Sequence, residues 1–106
     1  MYTYNATITK VVDGDTVDLL VDLGFHAEIN IRTRLLGLNA PEVKEQAGKD
    51  ARDALRAKLP VGTRVDVQTF KDPGDKYGRW LAQIDAGDEN INAWLIDNGY
   101  AVSYPV

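Results

Sequence analysis

The sequence of 106 residues has no cysteine and only one histidine, His26. The lack of cysteine excludes disulfides and zinc sites built from thiolates, and one imidazole is too few for a histidine-based metal site. Any bound metal would therefore be a hard cation held by oxygen ligands. Long apolar runs are missing as well, so we expect no transmembrane helix and no association with membranes.

The first residues also lack the basic-then-apolar pattern of a signal peptide. We therefore expect a cytoplasmic protein, although a leader removed during maturation would leave no trace. Positive charge is scarce too, with 12 Lys and Arg against 16 Asp and Glu and a formal net charge of −4. Such a chain does not coat nucleic acid by bulk electrostatics, so a polyanionic substrate would need a few cations focused in one cleft.

The chain does contain a regular succession of strand and helix patterns. Alternating β-branched and polar residues predict strands at 6–12, 16–22, 28–38, 64–70 and 80–85. Apolar residues at helical spacing predict helices at about 48–59 and 90–98, followed by a short extended tail at 100–106. One core suits this length, so we expect residues 1–106 to form a single domain. The order of elements predicts an α+β, mainly β fold: a five-stranded Greek-key barrel of the OB type, with a helix between strands three and four and a short C-terminal helix.

The segment 34–42, with the sequence RLLGLNAPE, departs from an ordinary strand pattern. Its three leucines carry no intervening charge, which predicts the end of a long strand that is buried on both faces. Pro41 ends the strand because it cannot donate to a ladder. Asn39 and Glu42 therefore sit at the end of a buried strand, where a rigid core can aim their side chains into a cleft.

Oxygen ligands for a hard cation are available near this segment. Asp15 follows a tight turn and shares the core side of its strand, so its carboxylate needs a cation, backbone amides or a metal as partner. The Asn39 amide oxygen, the Ala40 carbonyl and Asp13 could complete such a site. The structural alternative is that residues 13–15 form only a hairpin turn.

Two arginines, Arg34 and Arg79, suit a phosphoryl transition state, because each planar guanidinium can hold two oxygens and stays charged. Glu42 could orient or deprotonate an attacking water. Together these residues suit in-line hydrolysis of a phosphodiester. In the structural alternative, Arg34 pairs with a carboxylate on a neighbouring strand and Arg79 anchors a loop. Tyr77 and Tyr104 could stack on a base or simply pack.

Three motifs occur in a defined order and spacing: VVDGDT at 11–16, RLLGLNAPE at 34–42 and DKYGR at 75–79. Together they resemble the staphylococcal nuclease (thermonuclease-like) family over about residues 6–104. The resemblance implies a five-stranded OB barrel and Ca²⁺-dependent hydrolysis of DNA and RNA. It also implies roles for the matching residues. These are a catalytic trio of Arg34, Glu42 and Arg79 and calcium ligands at Asp15 and Asn39. Beside the resemblance, we expect the Ala40 carbonyl as a further calcium ligand and Lys76, Tyr77 and Tyr104 as candidate substrate contacts.

The chain departs from the family pattern at the metal site and around it. Asn39 stands where the best-studied members have a second aspartate ligand, and an uncharged amide predicts weaker calcium affinity. Ala40 replaces a threonine and leaves only its carbonyl as a ligand. The connection 43–47 is short and has one lysine, where secreted members carry a longer basic loop. The sequence also ends before the last helix of the larger members. The motifs therefore define the catalytic trio better than they define the affinity for substrate and the stability of the domain.

The preferred interpretation is a calcium-dependent nuclease that acts as a monomer on DNA or RNA, with single-stranded or denatured substrates favoured. The alternative is a non-catalytic OB module that binds single-stranded nucleic acid or a protein partner, and a purely structural or accessory domain is a third hypothesis. Retention of Arg34, Glu42 and Arg79 favours the enzyme. The acidic composition and the missing basic loop favour the binding module.

Overall fold

The computed structural model describes residues 2–71 and 79–104. Five long strands form the body of the domain: β1 (Tyr2–Asp13), β2 (Thr16–Gly24), β3 (Ala27–Leu35), β5 (Arg64–Lys71) and β6 (Trp80–Ala86). Three short strands complete the sheets: β4 (Leu38–Asn39), β7 (Glu89–Asn90) and β8 (Val102–Ser103). The two helices are α1 (Gln46–Lys58) and α2 (Ile91–Asp97).

The five long strands close into a barrel. Antiparallel pairing gives the order β3-β2-β1-β5-β6, and a parallel pairing between β3 and β6 joins the two ends. This parallel contact is short and runs from Thr33↔Trp80 to Leu35↔Ala82. Closure removes the sheet edges that an open five-stranded sheet would expose. The prediction of a mainly β, OB-type barrel with two helices is thereby confirmed.

The core lies inside the barrel because alternate residues of each strand point inward. Helices α1 and α2 add apolar side chains that pack against this interior. The largest fully buried side chains include Ile8, Val17, Leu19, Leu35, Leu38, Leu55, Leu59, Val67, Ile84, Ile91 and Leu95. Among the described residues, neither helix is long and apolar enough to cross a membrane.

The third strand differs from the prediction. It ends at Leu35 and not at Leu38, because the chain turns at Leu36 and Gly37. Gly37 has φ +81, a left-handed conformation that only glycine adopts without strain. The predicted single strand buried on both faces is therefore wrong beyond Leu35.

Three further elements differ from the prediction. After the Leu36–Gly37 turn, β4 pairs with β8, with Leu38 opposite Ser103 and Asn39 opposite Val102. The predicted extended tail is thus partly a strand that braces the candidate site. Strand β1 begins at Tyr2 rather than residue 6, because its first residues pair with β5. Helix α1 begins at Gln46 instead of residue 48.

Candidate active site

The turn from Asp13 to Asp15 forms one side of the candidate site. The Asp15 N–H donates to Asp13 Oδ1 at 3.0 Å, which closes a local turn of the kind that aspartate favours. A Cβ on Gly14 would lie 2.8 Å from the Cβ atoms of Ala40 and Ala51. Glycine at this position therefore lets the turn pack against both the 34–42 segment and helix α1.

Asp15 ties this turn to the last residue of β3 and to the residue that follows β4. Its carbonyl oxygen accepts from Leu35 N at 2.8 Å, and its Oδ2 accepts from Ala40 N at 3.0 Å. Its Oδ1 accepts from Thr16 Oγ1 at 3.1 Å. Burial raises the pKa of the Asp15 carboxyl above its ordinary value, and the adjacent Asp13 adds to the rise. The neighbours of Asp15 thus balance the negative charge of its ionised carboxylate only in part, and a bound cation would balance it further.

Arg34 lies near the end of β3 and faces the same cluster. Its Nη2 donates to Asn39 Oδ1 and lies 4.0 Å from Asp15 Oδ2. Its guanidinium carbon is 5.8 Å from the centre of the Tyr104 ring, within reach of a cation–π interaction. The side chain keeps 27% of its surface exposed. The guanidinium is therefore held in place by neighbours while part of it still faces solvent.

Asn39 and Ala40, the other two predicted metal ligands, lie near Asp15: the Ala40 N–H donates to Asp15 Oδ2, and Asn39 Oδ1 accepts from Arg34. Their donor set is one carboxylate, one amide oxygen and one backbone carbonyl, and such hard oxygens suit Ca²⁺. Within residues 2–71 and 79–104, however, no group of three or more Asp, Glu, His or Cys side chains could hold a metal. The residues therefore fit a calcium site of low ligand charge, and Asn39 also shares its oxygen with Arg34.

Glu42 is less enclosed than the other candidates. Its carboxylate pairs with Lys44 Nζ at 3.1 Å, and its side chain is 73% exposed. Its backbone is fixed more firmly, because Glu45 N donates to its carbonyl oxygen at 3.0 Å and Gly48 packs directly against it. The structure thus joins Arg34 to Asp15 and Asn39 but leaves the Glu42 carboxylate pointing to solvent.

Arg79 directly precedes β6 and is exposed. Because Trp80 pairs with Thr33, the parallel β3–β6 contact brings the backbone of Arg79 next to the end of β3 that carries Arg34. In this register Arg34 pairs with Leu81, and Arg79 lies two residues before Leu81 in the chain. The other candidate substrate residues on this loop, Lys76 and Tyr77, lie outside the described residues.

A shallow groove of about 260 Å³ runs beside the cluster. Its mixed polar and apolar walls come from the ends of β4 and α2, so it borders Asn39 directly. Tyr104, which is 53% exposed, follows β8 and is held by a hydrogen bond from its N–H to Gly37 O at 2.9 Å. The groove is lined by Asn39, Ala40, Pro41, Gly99, Tyr100, Ala101 and Val102.

Two residues that shape the site were not predicted from the sequence. Gly48 lies in the first turn of α1, where a Cβ would lie 1.9 Å from the Glu42 carbonyl oxygen. Asn92 lies on α2 and is buried with its amide bonded to three backbone groups. A glycine inside a helical pattern and an asparagine on an apolar helix face were the available signals.

The chain is similar in sequence to a known protein family and to several known proteins. A family model described as staphylococcal nuclease homologue matches residues 32–106. A thermonuclease of Staphylococcus intermedius is 36% identical over 100 residues, which cover 89% of this chain and 56% of that protein. A micrococcal nuclease of Shigella flexneri is 32% identical over 110 residues, which cover 95% of this chain and 59% of that protein.

A third relative is much longer. Endonuclease YhcR of Bacillus subtilis is 34% identical over 113 residues, which cover 95% of this chain and only 9% of that protein. The chain thus spans little more than half the length of the first two relatives and a small part of the third.

Proposed function

The chain belongs to the family of staphylococcal nuclease homologues, and we propose that it hydrolyses phosphodiester bonds of DNA, RNA or both in a calcium-dependent reaction. The observation that carries the proposal is the setting of Arg34. Its guanidinium is held by the neutral Asn39 amide, lies 4.0 Å from Asp15, and remains partly exposed beside Tyr104. A cation that is fixed by its neighbours and open to solvent suits an incoming phosphate.

In the proposed reaction, Arg34 and Arg79 contact the non-bridging oxygens of the scissile phosphate. Their charge stabilises the negative charge that builds up as a water oxygen bonds to phosphorus. Glu42 accepts the proton of that water, and the phosphorus–oxygen bond to the leaving nucleoside breaks. The leaving oxygen then takes a proton from solvent.

The exposed ion pair of Glu42 with Lys44 is compatible with this role. Pairs at such exposure contribute about 0–1 kcal/mol, so an incoming substrate can displace the lysine at little cost. The backbone of Glu42 does not have to move, because Glu45 N and Gly48 already hold its carbonyl. Only the side chain has to turn from Lys44 toward the water.

We propose that Asp15, the Asn39 amide oxygen and the Ala40 carbonyl bind the calcium ion. When bound, the ion supplies positive charge beside the phosphate and compensates the buried Asp15 carboxylate. The raised pKa of Asp15 supports this assignment, because a carboxylate that lacks compensation gains most from a cation. The low ligand charge predicts weak binding, so millimolar calcium should be used in assays.

Tyr104 is the described candidate for contact with a base, because its ring is half exposed and lies next to Arg34. Lys76 and Tyr77 are proposed to contact substrate from the loop that precedes Arg79. Stacking requires an unpaired base, so we expect single-stranded or denatured substrates. We further propose that the enzyme is monomeric.

The test is cleavage of denatured DNA and of RNA by the purified protein, with Ca²⁺ and in parallel with EDTA. Glu42→Gln removes the proton acceptor with little change in shape, and loss of general base catalysis should lower the rate at least about a hundredfold. Glu45→Gln is the matched control, since it removes a nearby glutamate whose side chain makes no capping hydrogen bond. Equal cleavage by wild type and Glu42→Gln would defeat the proposal, and tight binding of single strands without cleavage would favour the non-catalytic module.

A further inference from the structure

Asn92 is a buried polar side chain on the apolar face of α2. It lies on α2 with 3% of its surface exposed. Its Oδ1 accepts from Ile84 N at 3.1 Å. Its Nδ2 donates to the carbonyl oxygens of Ala82 and Leu36, both at 2.9 Å. One acceptor and both N–H groups of the amide are thus in use, and every partner is a backbone group.

The position of Asn92 explains these contacts. The parallel ladder between β3 and β6 ends where Leu35 pairs with Ala82, and the last backbone bond runs from Leu36 N to Ala82 O at 2.9 Å. Beyond this point β3 no longer pairs with β6, and β7 pairs with β6 only from Asp85 onward. The Asn92 amide accepts from Ile84 and donates to Ala82 as the peptide group of a strand would. Asn92 therefore continues the sheet where β3 leaves it.

The second N–H of Asn92 donates to the turn that lies between Arg34 and Asn39 in the chain. Leu36 and Gly37 join β3, which carries Arg34, to β4, which carries Asn39. Asn92 holds the Leu36 carbonyl, and Tyr104 N holds the Gly37 carbonyl at 2.9 Å. The turn therefore lies between Arg34 and Asn39, whose side chains are joined by a hydrogen bond.

We propose that Asn92 is a positioning residue for the hydrolytic reaction, because it fixes the Leu36–Gly37 turn and through it the approach of Arg34 to Asn39. The inference rests on the proposed nuclease function and extends it to a residue outside the cleft. Asparagine is required because the site needs one acceptor and two donors at this length. Aspartate supplies no donor when ionised, and glutamine is longer by one methylene.

The test uses Asn92→Asp, which keeps the shape and the acceptor, and Asn92→Ser, which is the milder variant if Asn92→Asp does not fold. Asn90→Ala is the matched control. Asn90 caps the same helix through Ala93 N at 2.8 Å, so its loss also weakens α2. It does not contact the Leu36–Gly37 turn among the described hydrogen bonds.

Two readouts separate positioning from stability. Amide hydrogen exchange is followed at Leu36 relative to Leu19, which lies in the β1–β2 ladder and reports global opening. Cleavage of a single-stranded oligonucleotide is measured with Ca²⁺ at a temperature at which every variant is folded. We expect the Leu36-to-Leu19 exchange ratio to rise at least tenfold and kcat/KM to fall at least tenfold in the Asn92 variants. Both should stay within twofold of wild type in Asn90→Ala.

Cleavage at the wild-type rate by both Asn92 variants would overturn the positioning role, whatever the exchange ratio. An unchanged exchange ratio with reduced cleavage would overturn it as well, because the turn would then not be the link. If the wild-type protein itself does not cleave nucleic acid, the nuclease proposal fails first. In that case the role in the reaction falls with it, and the exchange ratio still decides whether Asn92 holds the turn.

Discussion

Gly48 lies against the backbone of Glu42, and this contact gives a strong prediction for Gly48→Ala. A Cβ at Gly48 would lie 1.9 Å from the Glu42 carbonyl oxygen, 2.4 Å from the carbonyl carbon and 2.7 Å from Pro41 O. These are backbone atoms, so no flexible side chain can give way. Since close-packed interiors leave no spare room, the Glu42 backbone has to move by roughly 1.5 Å to restore van der Waals contact.

The expected size of the effect follows from three magnitudes. Alanine is favoured over glycine inside a helix by about 1 kcal/mol, whereas overpacking costs about 1–3 kcal/mol. The net loss of about 0–2 kcal/mol lowers the Tm by at most about 15 °C in a domain of this size. A displacement of about 1 Å in a reacting group can lower the rate about a hundredfold. We therefore expect kcat/KM of Gly48→Ala to fall about a hundredfold while the domain stays folded.

The assay is the initial rate of oligonucleotide cleavage with Ca²⁺, below the melting range of each variant as followed by circular dichroism. Ala57→Gly is the matched control, because Ala57 is exposed on the same helix and its replacement weakens the helix by about 1 kcal/mol. The control should retain wild-type kcat/KM. Wild-type kcat/KM in Gly48→Ala would refute the claim that this contact sets the position of Glu42.

Two further predictions concern the proposed calcium ligands. The raised pKa of Asp15 means that the folded state holds its proton more tightly than the unfolded chain does. Stability therefore falls as pH rises from the ordinary pKa through the raised one, and it stays lower above that. Asp15→Asn should flatten this part of the stability–pH curve and raise the Tm at pH 7 without calcium. It should also abolish the rise in Tm that calcium is expected to cause in the wild type. In thermal scans, a lower calcium-free Tm of Asp15→Asn, or a Tm of this variant that still rises with calcium, would contradict the role of Asp15 as a ligand. Asn39→Asp adds a charged ligand beside Asp15 and should tighten calcium binding about tenfold, or about 1.4 kcal/mol, as measured by calorimetry; unchanged affinity would remove residue 39 from the ligand set.

Much of the fold was predictable because its signals are local. The alternating patterns of β1 and β2, and the turn residues Asp13 and Gly14 between them, depend on neighbours in the sequence. The structure places Arg34 Nη2 4.0 Å from Asp15 Oδ2, a contact that both the catalytic interpretation and the structural alternative of a pairing with a neighbouring carboxylate allow. The amide oxygen of Asn39 accepts from Arg34, and its role as a calcium ligand stays a prediction.

The sequence by itself determined the barrel, its core residues and the chemistry available at one end of it, because hydrophobic period and motif spacing encode these directly. Only the tertiary structure decided where β3 ends, since the break at Gly37 depends on the pairing of β4 with β8. It also decided the roles of Gly48, which packs against the backbone of Glu42, and of Asn92, which bonds Leu36 from a distant segment of the chain. Contacts between distant segments leave no periodic pattern in the sequence, so the residues that hold the site in shape became visible only once the chain was folded.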